Sequence, residues 1–191
     1  RLERFRHEGL LNEGLELDLA LCLTICLEGK EEELVCDAVA VEHGAMVRQL
    51  NWPKELDAND VDYAVLNHVR GNLLPRHWPQ EYHPYSNVPG GQESLIKSDT
   101  SIIQSNLIEC WSMSWWGFQK GASAMMLIVE TPDDAAYKFR HPAGGPTVLG
   151  PRWLASLGSL RYPRSVRLCF FPKGNYVTLC KRYRRHVIGR C

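Results

Sequence analysis

The sequence predicts an α+β fold: a mainly antiparallel sheet with a long N-terminal strand, a C-terminal β-hairpin and a few short helices. Three observations carry that prediction. The stretch 15–27, LELDLALCLTICL, has Leu or Ile at every odd position and another residue at every even one. A period of two over this length marks a strand with one wholly apolar face. The stretch 110–116, CWSMSWW, alternates in the same way. Finally, SVRLCFF (165–171) and YVTLCKRY (176–183) flank Pro-Lys-Gly-Asn, the composition of two strands around a turn.

The other elements follow in chain order. Residues 1–11 read as a short helix with Leu2 and Phe5 inward. Glu28-Gly29-Lys30 turns the long strand back into LVCDAVAV (34–41), a returning strand. A helix is the alternative there, since three Glu precede it and Gly44 could end it. DANDVDYAVLNHVRG (57–71) reads as a helix, with Asp57 or Asn59 as cap and Val61, Val65 and Val69 as its stripe. The stretch 74–93 holds four Pro and two Gly among Trp78, Tyr82 and Tyr85, which predicts a long loop. Trp111, Met113 and Trp115 share one face of the next strand, opposite Cys110, Ser112 and Ser114. SAMMLIVE (123–130) reads as a buried strand. Thr131-Pro132-Asp133-Asp134 has the order of a helix start, 141–151 is a Gly/Pro loop, and Pro151 begins a short helix, RWLASLGSL. In the terminal hairpin, Val166, Leu168 and Phe170 face the core, and Arg167, Cys169 and Phe171 lie opposite.

At 191 residues the chain is one globular domain, 1–191, and its first residue, Arg1, suggests a piece of a longer protein. No apolar run approaches the roughly 18 residues of a membrane span. Seven Cys are scattered without Cys-x-x-Cys, and there is no Asn-x-Ser/Thr, so a reducing compartment, cytoplasm or nucleus, is expected. Net charge is zero but unevenly placed. Residues 1–137 hold all 22 acids and 10 Lys/Arg; residues 138–191 hold 12 Lys/Arg and no acid. Such a split points either to a phosphate-bearing or acidic partner, or to two parts that neutralise each other within the fold.

No phosphate loop, dinucleotide fingerprint, zincin motif or nucleophile elbow is present, which lowers the expectation of an enzyme. No catalytic residue, metal ligand or cofactor is nominated. Cys22 and Cys26 would lie about 13 Å apart along a strand, too far to share one zinc ion. Cys169 and Cys180 would be closer on a hairpin but need two more ligands from His141, His186 or Cys191. Cys110 follows Glu109, which opposes thiolate formation, although His68, His77, His83, His141 and His186 are available as bases. The tail Lys181, Arg182, Tyr183, Arg184 and Arg185 interleaves a ring with cations, a pattern suited to nucleic acid. It suits a solvated sheet edge or an import signal as well. Trp78, Tyr82, Tyr85, Trp115 and Trp116 are the candidate partner-binding anchors.

Three phrases, ECWSMSWWGFQKG, HPYSNVPGGQE and RYPRSVRLCFFPKGN with CKRYRR after it, resemble the foamy virus Bel/Bet family of retroviral accessory proteins. That resemblance implies a non-enzymatic protein that binds host APOBEC3 cytidine deaminases and keeps them out of virions. It assigns no role to any single residue. A nucleic-acid-binding domain and a thiol or zinc enzyme are the alternatives.

Overall fold

The computed structural model describes residues 3–7, 19–31, 33–43, 46–57, 59–68, 71–79, 103–106, 111–155 and 157–190, with side chains of 3–7, 57, 68 and 103–106 left aside. The strands among them are β1 (Glu3–His7), β2 (Leu19–Glu28), β3 (Glu33–Glu42), β4 (Gln49–Leu50), β5 (Leu56–Asp57), β6 (Tyr63–His68) and β7 (Asn72–Pro75). They continue with β8 (Ile103–Asn106), β9 (Trp111–Lys120), β10 (Ser123–Val129), β11 (Ala135–Arg140), β12 (Val148–Leu154) and β13 (Arg164–Phe171). One helix, α1 (Tyr176–Ile188), follows. The fold is therefore β-rich, and the expected α+β class with several short helices is corrected.

Every strand pairing among the described residues is antiparallel. An eight-stranded sheet has the order β1-β2-β3-β13-β10-β9-β6-β7. A second sheet has the order β4-β12-β11-β8, with β5 also on β12. The two sheets enclose the main core, in which Trp111, Trp116, Leu127 and Val166 meet Tyr137, Phe139, Leu149 and Trp153. On the other face of the first sheet, Val65, Trp115, Met126, Ile128 and Cys169 pack with Leu179 of α1. The centre of the first sheet is thus covered on both sides. That explains why its strands read as continuous apolar runs, a pattern that also suits a buried helix.

This two-sided burial accounts for most of the corrections. The expected helix 57–71 is largely β6, held between β7 and β9. Ala64 and Leu66 face the sandwich core and Val65 faces α1. The expected helix at Pro151 is part of β12, which pairs with β11 along Val148–Trp153. Thr131 does not start a helix; its hydroxyl accepts from the Ser165 N–H at 3.0 Å, and the chain turns into β11. Residues 3–7 form a strand on β2 where a helix was expected. The hairpin Leu19–Glu28 with Glu33–Glu42 is as expected, and residues 15–18 lie outside the described set.

The predicted C-terminal hairpin is replaced by a strand and a helix. Strand β13 already has β3 on one side and β10 on the other, so 176–183 has no free edge to pair with. The chain breaks at Gly174 and Asn175 caps α1: its side chain accepts from the Val177 and Thr178 N–H groups, while the Thr178 hydroxyl accepts from the Asn175 N–H. Two of the residues expected to face the core from β13 do so, Val166 and Leu168, with Cys169 on the α1 side, but Phe170, expected in the core, is 55% exposed.

Trp111 and Trp115 were expected on one face, yet Trp111 joins the sandwich core and Trp115 the α1 side. The cause is a register shift against β6 between Leu66 and His68, a bulge that changes the parity of β9. A second tie between the sheets is Arg164 of β13, which is fully buried. It donates to Asp134, next to β11, at 3.2 Å and to the Leu154 carbonyl of β12 at 3.3 Å, and its guanidinium lies 3.4 Å over the Tyr162 ring.

Candidate functional site

Among the described residues, charged side chains gather where α1 crosses β13 and the β2–β3 turn. The even face of β2 and the odd face of β3 point to the α1 side, and β13 contributes Arg167 from the same face. There Arg167 donates to Glu130 at 2.6 Å, Glu28 at 2.9 Å and Glu33 at 3.4 Å. Arg182 of α1 clasps Glu33 through two bonds of 2.6 and 2.5 Å. Arg185 lies 3.7 Å from Glu31, and Arg190 lies 3.4 Å from Glu130. These residues line an open cleft of about 560 Å³ together with Lys30 and His186.

Burial raises the Glu33 pKa, but hydrogen bonds from Arg182 and the Cys169 thiol, with the charges of Arg182 and Arg167, hold it below the ordinary carboxylate value. Burial, then Arg190, lowers His186. Burial and the neighbouring Glu33 raise Cys169, so its thiol is protonated and inert. Glu33, tied down by guanidinium groups, therefore stays ionised.

A smaller cavity of about 360 Å³ opens at the bulge, between Val65, Asn67, Met113 and Trp115 on the sheet and Tyr176 and Cys180 on α1. Asn67 donates to the Trp115 carbonyl at 2.6 Å, which satisfies part of the backbone that the bulge frees. Among the described residues, no group of three His, Cys, Asp or Glu is placed to hold a metal ion.

The nominated residues are dispersed. Trp115 and Trp116 are fully buried core rings, Trp116 under the second sheet and Trp115 on the α1 side, which removes them as partner anchors. Trp78 is exposed, and its carbonyl accepts from Gly144 at 2.8 Å and from buried His141 at 3.4 Å. Tyr82, Tyr85 and Cys110 lie outside the described residues. Lys181, Arg184 and Arg185 are exposed on α1. Arg182 is not: it is spent on Glu33. Tyr183 packs 6.1 Å from the Trp115 ring, and its hydroxyl accepts from the Ser114 N–H at 3.3 Å. The charge split is met largely within the fold, since Arg167, Arg182, Arg185 and Arg190 all pair with acids from the first 137 residues. Sequence reasoning missed Glu33 and Arg167 as the centre of this network. The signal was present in the odd phase that Arg167 shares with Cys169.

No protein-family model matches the chain, and no curated protein does. Solved structures do match. The α-N-acetylgalactosaminidase NagBb from Bifidobacterium bifidum, in its GalNAc complex, superposes with a TM-score of 0.75 at 24% identity. The likeness is one of fold. It covers 100% of this chain and 30% of that one. The Gal-NHAc-DNJ complex of the same enzyme gives a TM-score of 0.74 at 23% identity, and the ligand-free form 0.70 at 23%. The chain therefore spans about a third of the length of the structures it matches.

Proposed function

We propose that this chain is a β-sandwich domain of a longer carbohydrate-active protein, supporting the catalytic part rather than performing the chemistry itself. The observation that carries the reading is the end-to-end superposition of the whole sandwich and its helix on 30% of a bacterial glycosidase. The charged cleft supports it from a second direction. Arg167 pairs with Glu130 and Glu28, and Arg182 clasps Glu33, whose carboxyl is held below the ordinary carboxylate value, so the cleft serves to fasten α1 to the sheet.

The test is to express the 191-residue chain and the longer polypeptide of the same reading frame, and to assay both on α-linked aryl N-acetylgalactosaminides and related aryl glycosides. A folded but inactive short chain beside an active long one is the expected result. Glycoside hydrolysis by the short chain alone, or a reading frame that encodes no further domain, would overturn the reading.

A second reading rests on one observation: Lys181, Arg184 and Arg185 stand exposed on α1 at the i, i+3, i+4 spacing of a single helix face. That face suits phosphates, so RNA, or an APOBEC3 deaminase carrying RNA as the viral resemblance implies, is the partner to test. Binding that falls steeply with salt and is lost when all three become Ala would support it. Retention of RNA by the triple variant would remove it.

A further inference from the structure

On the sandwich face of the first sheet, Leu27, Leu34, Leu168, Leu127, Trp116 and Leu66 form one cross-strand row through β2, β3, β13, β10, β9 and β6. Burial fades along it. Leu66, Trp116 and Leu127 are closed off and Leu168 is 9% exposed, but Leu27 is 64% exposed. The next row behaves alike: Val129, Val166 and Cys36 are buried, and Ile25 is 37% exposed. Phe170, diagonal to Leu34 on the same face, is 55% exposed. So the first sheet overhangs the second at one corner, and the overhanging part is apolar.

We infer that the corner Ile25, Leu27, Leu34 and Phe170 is the seat of another domain of the same polypeptide. This rests on the reading proposed above. The occupant is argued from two observations. The same sandwich occurs in a chain of which it fills 30%, leaving more than twice its own length to pack against it. The corner also has the make-up of an interface: an apolar centre continuous with the core, rimmed at the β2–β3 turn by exposed Glu28, Lys30 and Glu31. Leu and Ile aligned on one strand face form a flat apolar strip, which suits a packed protein surface better than a solvated ligand.

Hydroxyl-radical footprinting of side chains tests this directly. In the longer polypeptide, oxidation of Ile25, Leu27 and Phe170 is expected to be several-fold lower than in the 191-residue chain. Leu27→Glu should restore oxidation of Ile25 and Phe170 in the long form while leaving the melting temperature of the short form unchanged, because Leu27 is already in water there. Equal oxidation in both forms overturns the inference while leaving the domain reading intact. Protection that appears in the short chain alone as its concentration rises assigns the corner to a second copy and also overturns it. A reading frame with no further domain fails the domain reading itself, and the inference with it.

Discussion

Gly117 of β9 lies directly beneath Leu179 of α1. A Cβ placed on the glycine would stand 2.6 Å from the leucine Cδ1 and 2.5 Å from the Met125 carbonyl oxygen. The absence of a side chain on the sheet is what lets the one described helix seat its buried leucine, and the charged cleft depends on that seating.

Gly117→Ala should therefore lift α1 from the sheet and destabilise the chain by about 1–3 kcal/mol, the usual cost of overpacking. Leu179→Ala should cost about 2–5 kcal/mol by opening a cavity at the same place. Thermal unfolding of the two variants checks both. Gly117→Ala with unchanged stability would show that α1 is not held as described.

Glu33→Gln removes the charge that Arg182 clasps and weakens its link to Arg167. The loss of these charge-assisted bonds should cost about 1–3 kcal/mol. Proteolysis should then cut α1 near Lys181 sooner than in the parent chain. Exposed Lys181→Ala is the control and should stay within about 0.5 kcal/mol.

Arg164→Ala leaves half-buried Asp134 without its guanidinium and the Leu154 carbonyl without one donor, where the fully buried Arg164 joins the two sheets. The expected loss is about 3–5 kcal/mol, as for a broken buried ion pair. Arg164→Met, which keeps the bulk, should recover part of it. Denaturant midpoints at constant slope measure both variants.

Acidification should destabilise the fold in two steps. His186 and His141 have folded pKa values below the ordinary 6.5, mainly through burial, so the unfolded chain takes up protons first as pH falls past that value. Their contribution is complete above it and lost on the way down to the folded values. Glu33, with its folded pKa also depressed, contributes fully above about 4.5 and is lost as pH falls through its lower folded value. Glu33→Gln should erase most of the second step and spare the first. Stability curves from pH 8 to 3 decide this.

Much of the sheet was legible from the sequence. The Leu/Ile period of 19–27, the turn at Gly29, the run 123–129 and the core placing of Val166 and Leu168 on β13 stand as read, while Phe170 lies exposed where core was expected. Alternation is visible wherever one side of a strand differs from the other. It vanished in β6 and β12, whose neighbours cover both sides, and there Val65 and Pro151 could be read equally well as parts of helices. The helix 176–188 was concealed for a different reason. Its Val, Thr, Tyr and Cys content favours strands, and only the pairing of β13 with β3 and β10 excludes a hairpin, a fact about topology that no local window contains. Of the functional nominations, the exposure of Lys181, Arg184 and Arg185 followed the reading, while Arg182 was claimed by Glu33, a partner 149 residues away.

The seat of β13 between β3 and β10 governs how the molecule can be assembled. Until residues 164–171 have been made, the β2–β3 hairpin and the β9–β10 pair are two separate fragments with no shared ladder. During synthesis, the early hairpin, with its row of leucines, must wait for a strand encoded more than a hundred residues downstream. Such distant closure is slow. A truncation anywhere before Arg164 would release not a smaller sandwich but two sticky half-sheets.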